Sequence, residues 1–271
     1  SGTSYAPSAT FSIAANTTLF AQWTINSYTV TFNGNGSDGG TMANQNIVFG
    51  QSANLTANAY WRTGYSFAGW ATSAGGAVAY ADGASYTMST EGATLYAKWN
   101  INQYTITFDS AGGTAVSPIT QNYGTAVTPP ANPTKTGYTF TGWQPAVPAV
   151  MPTANTTYTA QWTVNQYTIT FDANGGTGGW SQSLAFGSIL LPPTVAKTGY
   201  SFAGWNPTPP ATVPAANATY TAQWNINTYF VIFDANGGSG SMGSQGIQYA
   251  SSAVLASNAF TRTGYTFTGW N

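Results

Sequence analysis

The chain of 271 residues contains no cysteine and no histidine. The absence of cysteine excludes disulfide bonds and thiolate metal sites, and the absence of histidine excludes imidazole ligands and the most common general base. Only 4% of the residues are charged, and the net charge is −1. Ordinary globular proteins carry about 25% charged residues, so electrostatic attraction cannot drive binding to nucleic acid or to an anionic membrane here.

Long apolar runs are also missing, since none approaches the ~20 residues that a membrane-spanning helix needs. We therefore expect no membrane insertion. The chain starts at Ser1 with no methionine, basic segment or apolar leader, and it is expected to be a processed chain or an excerpt of a longer one. Aromatic residues make up 15% of the sequence, which disordered segments do not reach.

What is abundant is repetition of two short motifs. Gly-Tyr-[Ser/Thr]-Phe-[Ala/Thr]-Gly-Trp occurs four times, and Ala-[Gln/Lys]-Trp also occurs four times. Repetition of this kind predicts a tandem array of small units, in which a single catalytic site is not expected. The first motif lies at Gly64–Trp70, Gly137–Trp143, Gly199–Trp205 and Gly264–Trp270, and the second ends at Trp23, Trp99, Trp162 and Trp224.

Each unit opens with an alternation of apolar residues and threonine, as in Tyr167-Thr-Ile-Thr-Phe171, which predicts a half-buried strand. An Asx- and Gly-rich turn follows. The predicted fold is therefore a mainly β, rod-like tandem array with at most one short helix per unit, at Ser52–Tyr60 and Ser251–Phe260. The predicted domains are residues 1–27 (C-terminal half of a repeat), 28–103 (long type), 104–166 and 167–228 (short type), and 229–271 (N-terminal half of a repeat).

The junctions between units predict stiffness. Apolar residues fall on even numbers in Tyr158–Val164 and on odd numbers in Tyr167–Phe171, so the phase slips by one residue at Asn165-Gln166. A slip of one residue moves the buried side chains to the opposite face of a strand. No junction contains glycine, proline or a polar tract, and we therefore expect direct coupling between neighbouring units.

Three of these features together resemble a known family. They are the strand and turn Tyr-Thr-Ile-Thr-Phe-Asp-Ala-Asn-Gly-Gly at 167–176, the Gly-Tyr…Gly-Trp core, and the closing Ala-[Gln/Lys]-Trp strand. The chain is similar to the Listeria–Bacteroides repeat, the internalin B-type B-repeat of large bacterial surface proteins. The resemblance implies small β-grasp-like domains, used in tandem outside the cell and without catalytic activity. The low charge and the proline-rich short loops depart from this family.

The regularly placed aromatic residues are predicted to form the core of each repeat, because a unit of about 62 residues needs large side chains to hold together. A platform for stacking sugars is the alternative interpretation. The predicted core residues are Tyr65, Phe67, Trp70, Trp99, Tyr138, Phe140, Trp143, Trp162, Tyr200, Phe202, Trp205, Trp224, Tyr265, Phe267 and Trp270. Trp61 and Trp180 lie outside the pattern and are the candidates for exposed contact residues.

Charged residues recur at two positions of the repeat. A cation precedes each Thr-Gly-Tyr, and an aspartate follows three of the opening strands. These positions predict, in each repeat, either one intra-repeat ion pair or a cation that packs by its side-chain stem; the candidate pairs are Lys135 with Asp109, Lys197 with Asp172 and Arg262 with Asp234. An isopeptide bond is the alternative, but arginine takes the place of lysine at this position and cannot form one. Asp-Ala-Asn-Gly-Gly begins like a calcium loop but lacks the other ligands, so it is interpreted as a hairpin turn.

We predict a non-enzymatic protein without catalytic residues, metal or cofactor. The first functional hypothesis is the stalk of an extracellular, adhesin-like surface protein, whose partners are further repeats of a longer chain. The second is a secreted filament subunit that assembles with itself, head to tail or laterally, with the two half-repeats completing each other between copies. The third is a carbohydrate-binding array that contacts cell-wall or surface glycans.

Overall fold

The computed structural model describes residues 2–271 and contains sixteen β-strands and no helix within that range. The prediction of a mainly β fold is therefore confirmed, and the described residues contain no helix that is long and apolar enough to cross a membrane. The strands are β1 Ser27–Asn33, β2 Gln45–Val48, β3 Ser52–Asn54, β4 Tyr65–Ala71, β5 Ser85–Thr87, β6 Ala93–Ile101, β7 Gln103–Asp109, β8 Ile119–Asn122, β9 Tyr138–Gln144, β10 Thr156–Val164, β11 Gln166–Asp172, β12 Trp180–Ala185, β13 Tyr200–Asn206, β14 Ala218–Ile226, β15 Thr228–Val231 and β16 Gln245–Gln248.

The chain divides into two compact units. One comprises the residues up to Thr105 together with 120–127 and 148–155, and it holds a sheet of order β2-β1-β6-β4 and a small β3-β5 pair. The other comprises residues 106–119, 128–147 and 156–271, and it holds a sheet of order β12-β11-β14-β13 and the β15-β16 hairpin. The strands from β7 to β10 follow the same order, β8-β7-β10-β9.

Each four-stranded sheet is mixed. Its first strand pairs antiparallel with the second strand of the repeat and parallel with the last, as β1 does with β2 and β6. The last strand then pairs antiparallel with the Gly-Tyr…Gly-Trp strand, as β6 does with β4. The last strand of the repeat therefore lies between the first strand and the Gly-Tyr…Gly-Trp strand, and it connects them into one sheet.

The alternation predicted for the opening strands appears in their burial. In β11, Ile169 and Phe171 are buried, whereas Thr168 is exposed and Thr170 is half-buried. In β10 the buried residues are Tyr158 and Ala160, which have even numbers. The phase therefore changes between β10 and β11, across the one residue that separates the two strands.

The glycine before each motif tryptophan produces a bulge. The pairing of β4 with β6 shifts register between Phe67 and Gly69, and Gly69 has a φ of 134°. Glycine adopts this positive φ without the steric cost that a Cβ brings. The bulge places Phe67 beside Trp70, with ring centroids 5.0 Å apart in an edge-on arrangement.

The long loop of the first repeat covers its core. Tyr86 and Met88 in this loop are buried, and Trp70 beneath them is fully buried. The copies of Trp70 in the two short repeats, Trp143 and Trp205, are only half-buried. The extra residues of the long type therefore close one side of the core.

The prediction of a short helix is wrong at both places. Ser52–Asn54 forms β3, which pairs antiparallel with β5, and residues 251–260 contain no helix. Leu55 then donates its backbone N–H to Ala84, and Thr56 donates to the Gln45 side chain. These long-range partners satisfy the backbone, whereas a helix of this length is marginal by itself.

The residues before β1 and after β16 differ from the complete repeats. Residues 2–26 contain no strand, and their side chains are exposed. After β16 the described chain forms no strand: Thr261 makes an isolated bridge back to Ser239, which precedes β16, and the fourth Gly-Tyr…Gly-Trp segment is not a strand.

Alkaline pH is expected to destabilise the first repeat through Tyr86. Burial, assisted by nearby Tyr80, raises the pKa of the Tyr86 hydroxyl. In the unfolded chain this group ionises near pH 10, so the stability it contributes is intact below about pH 10 and is lost as the pH rises through the folded-state pKa. Tyr86→Phe should therefore flatten the loss of unfolding free energy above about pH 10, measured by denaturant unfolding.

The control for this experiment is Tyr229→Phe, because the Tyr229 ring is 55% exposed. An alkaline profile that is the same for the Tyr86→Phe variant and the native chain would contradict the prediction.

Candidate functional site: the junction between consecutive repeats

Chemistry-bearing side chains do not cluster in the described part of the chain, where no three acidic residues lie close enough to hold a metal ion. The feature that recurs is a contact between neighbouring repeats. A single asparagine separates the last strand of one repeat from the first strand of the next, and it lies at Asn102, Asn165 and Asn227. We treat this junction as the candidate functional site.

Two backbone hydrogen bonds hold each asparagine. Asn165 donates its N–H to Gly137 of the preceding repeat at 2.9 Å, and its carbonyl accepts from Phe186 of the following repeat at 2.9 Å. Asn102 is held in the same way by Gly64 and Tyr123. Asn227 is held by Gly199 and Tyr249, with distances of 2.9 and 2.8 Å. The linker residue therefore belongs to a small sheet-like contact between the repeats.

An aromatic ring packs on a glycine at each junction. The Phe186 ring stands where a Cβ of Gly137 would be, and its centroid lies 5.9 Å from that of Tyr138 in an edge-on arrangement. Gly137 has a φ of 78°, so glycine is favoured by both the backbone and the ring. The equivalent sets are Gly64, Tyr65 and Tyr123, and Gly199, Tyr200 and Tyr249.

The cation before each Thr-Gly-Tyr stacks on the junction tyrosine. Lys135 Nζ lies 4.6 Å from the centre of the Tyr138 ring and donates to the Ala111 carbonyl at 2.9 Å. Lys197 does the same with Tyr200 and Asn174. Arg62 and Arg262 each lie 4.1 Å from a tyrosine ring, those of Tyr65 and Tyr265.

The predicted ion pairs do not form, because each partner is engaged elsewhere. Asp109 accepts a hydrogen bond from the backbone of Ala111, and Asp172 and Asp234 accept from Asn174 and Asn236. Asn33 makes the same turn in the first repeat without a charge. The aspartates are therefore turn residues, while Lys135, Lys197 and Arg262 bind turn carbonyls and stack on tyrosine rings.

The predicted core aromatics take up three different positions. Trp70 is fully buried, and Phe67, Phe140, Trp143 and Trp205 are half-buried around the sheets. The closing tryptophans are half-buried and donate from Nε1 to a turn carbonyl at 3.0–3.1 Å: Trp99 to Gly34, Trp162 to Ser110, and Trp224 to Ala173.

The tyrosines of the motif lie at the junctions instead of in the core. Tyr65, Tyr138 and Tyr200 are half-buried between a cation and the aromatic ring of the next repeat. Phe202 is 44% exposed, although its ring lies 5.4 Å from that of Trp205. Tyr265 and Phe267 are exposed, and Trp270 is half-buried.

The two tryptophans outside the repeat motifs, Trp61 and Trp180, are not both exposed. Trp61 is 56% exposed, with its indole ring beside Gly39. Trp180 is half-buried, with its ring 4.8 Å from that of buried Phe171, so the structure corrects the prediction that it is an exposed contact residue. The β12 strand aims this side chain at the core face, where its apolar surface is covered.

The junction aromatics are functional residues that the sequence analysis missed. They are Phe49, Tyr123, Phe186 and Tyr249. A signal for them exists, because an aromatic residue followed by glycine or alanine recurs at this position in every repeat. Pairing them with the motif glycine of the preceding repeat required the folded chain.

Comparison with known proteins identifies the repeat. The model of the Listeria-Bacteroides repeat domain matches residues 28–98, 104–164, 167–228 and 229–271. The chain belongs to the Listeria–Bacteroides repeat family. This confirms the resemblance found in the sequence.

Similar proteins are considerably longer than this chain. A "Putative Gly-rich membrane protein" and a "Putative membrane protein" of Evansella cellulosilytica are both 34% identical to it over 277 residues, covering 95% and 94% of this chain but 32% and 40% of those proteins. Internalin H of Listeria monocytogenes is 39% identical over 113 residues, which is 38% of this chain and 20% of that protein. The chain thus spans well under half the length of these relatives.

A solved structure, of Streptococcal High Identity Repeats in Tandem domains 3-4 from a cell surface protein, matches 51% of this chain and 98% of that one. The identity is 17% and the TM-score is 0.20. The fold assignment therefore rests on the strands of this chain and not on the likeness to that structure.

Gly137→Ala is expected to loosen the second junction. The new methyl group would occupy the place of the Phe186 ring, and overpacking of this kind costs about 1–3 kcal/mol. Amide hydrogen exchange of Asn165 and Phe186 measures the effect locally, and their opening free energy should fall by about that amount, while Asn102 at the first junction should be unaffected.

The matched control is Gly187→Ala. Gly187 has a similar φ of 74°, nothing lies within 4 Å of its Cβ position, and Ala250 occupies the equivalent turn position in the last repeat. Equal changes in the two variants would show that the backbone strain, and not the ring, accounts for the effect.

Proposed function

We propose that the chain is a non-enzymatic segment of an extracellular protein, in which it serves as the stalk or shaft of an adhesin-like molecule. Membership of the Listeria–Bacteroides repeat family and the 39% identity over 113 residues to Internalin H support this role. The names of the Evansella relatives, which include the words "membrane protein", are consistent with a location at the cell surface.

The main support for the proposal is that the same junction recurs three times along the chain. Each copy combines a single linker residue, two backbone hydrogen bonds and a ring on a glycine. A flexible tether would need glycine- or serine-rich linkers, and none separates these strands. A segment built in this way is suited to hold other parts of a protein at a distance.

The test is a distance distribution measured by single-molecule energy transfer. Because the chain has no cysteine, Ser73→Cys and Thr208→Cys provide two exposed labelling sites in the first and third repeats. We expect a narrow distribution that widens in the Gly64→Ala and Gly137→Ala variants and is unchanged in the Gly187→Ala variant. A broad distance distribution in the unmutated chain would contradict the stalk function.

The extracellular location is tested separately with antibodies against the chain. Failure of these antibodies to label intact cells that produce the protein would contradict the stalk function as well.

A second candidate function is that of a filament subunit that assembles with itself. It is favoured by the exposed apolar side chains within residues 2–26 and 229–271, such as Trp23 and Tyr229. Exposed apolar side chains and unpaired strand edges promote association, and low charge does nothing to oppose it. Light scattering should show a mass that rises with protein concentration, and negative-stain microscopy should show fibres. A constant monomer mass would exclude the filament.

A further inference from the structure

The outer edge of the Gly-Tyr…Gly-Trp strand differs between the long repeat and the two short ones. One edge of this strand pairs with the last strand of its own repeat, as β4 does with β6 and β13 with β14. On the opposite edge of β4, Trp70 donates its backbone N–H to Tyr80 at 2.8 Å, and its carbonyl accepts from Ala79 and Tyr80 at 2.8 and 3.0 Å. In the described chain, neither Trp143 nor Trp205, the counterparts of Trp70, forms such a bridge.

The burial of these strands follows the same division. The last three residues of β4 are buried, whereas those of β13 are half-buried or exposed. A Cβ at Gly69 would lie 2.6 Å from the Tyr80 carbonyl oxygen and 2.6 Å from Cγ1 of Val78. At Gly142 and Gly204, nothing lies within 4 Å of that position. The space that the long loop occupies beside β4 is therefore empty beside β9 and β13.

The difference comes from the length of the loop that follows the motif tryptophan. Met88 and Val213 are equivalent residues, because each accepts a backbone hydrogen bond from the turn glycine of its repeat, Gly50 and Gly187 respectively. The loop before this residue covers 71–87 in the first repeat and only 206–212 in the third. In the described chain the shorter loop forms no pairing with β13, so it leaves the outer edge of that strand uncovered.

The long loop also supplies two aromatic side chains that the third repeat lacks. Tyr80 and Tyr86, whose ring centroids are 5.2 Å apart, pack against the core around Trp70. By the equivalence given above, Ala211 of the third repeat stands in the place of Tyr86. The Trp205 side chain is only half-buried. An aromatic ring brought to this position from outside the repeat would cover it.

We propose that the outer edges of β9 and β13 are docking sites for an extended segment of another polypeptide. The segment adds to the sheet as residues 78–80 add to β4, and its backbone exchanges hydrogen bonds with Trp143 or Trp205. A strand added in this way gains its affinity from main-chain hydrogen bonds and its specificity from side chains in pockets. Unpaired strand edges are the part of a sheet that accepts such a partner.

The occupant of β4 specifies the chemistry of the partner. Its sequence is Val78-Ala79-Tyr80, in which the valine lies beside the bulge glycine and the tyrosine packs on the core of the motif tryptophan. The strands β9 and β13 contain no charged residue. The partner segment is therefore uncharged, with a β-branched residue followed two positions later by an aromatic one.

This inference goes beyond the stalk function, because it adds recognition of a partner along the side of the chain. It also does not require fibre formation. Repeats of the long type carry their own occupant and are closed, while repeats of the short type are open. The order of long and short repeats along such a chain therefore decides where partners attach.

The first experiment titrates a synthetic peptide of residues 75–81, with blocked ends, into the isotope-labelled full chain. We expect the backbone amide NMR signals of Trp143 and Trp205 to shift. The signal of Trp70 should stay unchanged, because its N–H already donates to Tyr80, and Trp70 is thus a matched control within the same molecule. A peptide carrying Tyr80→Ala should bind at least about 10-fold more weakly, since aromatic anchors dominate contacts of this kind.

The second experiment closes one site and leaves the other open. In the full chain, residues 206–212 are replaced by a copy of residues 71–87, which should cover β13. The peptide should then no longer shift the Trp205 signal, whereas the shift at Trp143 should remain and shows that the variant is folded.

Three results would overturn the inference. The first is equal binding of the two peptides, and the second is a Trp205 response that survives the loop replacement. The third is a shift of the Trp205 signal that unlabelled full chain produces in place of the peptide, because the occupant would then be a second copy of this chain.

Discussion

The pairing of the last strand of each repeat with its first strand is the interaction on which the rest of the structure depends. This parallel pairing, as in Phe32 beside Leu95, places the last strand between the opening strand and the Gly-Tyr…Gly-Trp strand. It buries Leu95 and Ala97 and gives Trp99 a carbonyl to bind. In the last repeat the segment at 264–270 carries the same motif but forms no strand.

The same strand also couples one repeat to the next. Only one asparagine separates this strand from the first strand of the next repeat. The backbone of that asparagine forms hydrogen bonds with both the preceding and the following repeat. The change of phase across that residue moves the buried side chains to the other face and starts a new core. Each core is small, so large aromatic rings supply much of its buried area. The array is thus built from weak units that are directly connected.

Most of the few charged residues of this chain contact uncharged groups. Four of the five cations stack on the tyrosine of a Gly-Tyr…Gly-Trp motif, and three of the six acids close a turn. A cation over a ring is worth about 0.5–1 kcal/mol at an exposed site, and an exposed ion pair contributes no more. Recurrence of opposite charges in a repeat is therefore weak support for an ion pair, because each charge can satisfy a neighbouring carbonyl, amide or ring.

The repeat family, the opening strands and the phase change at the junctions could be predicted from the sequence. These features follow from short motifs and from local periodicity, which can be recognised within a few consecutive residues. The folded chain was needed to show that Ser52–Asn54 is a strand, that Trp180 turns to the core, and that Lys135 binds a carbonyl instead of Asp109. It also showed that Phe186 rests on Gly137. The partners in these contacts lie 9 to 49 residues apart in the chain, and which of them meet is set by folding and not by spacing in the sequence.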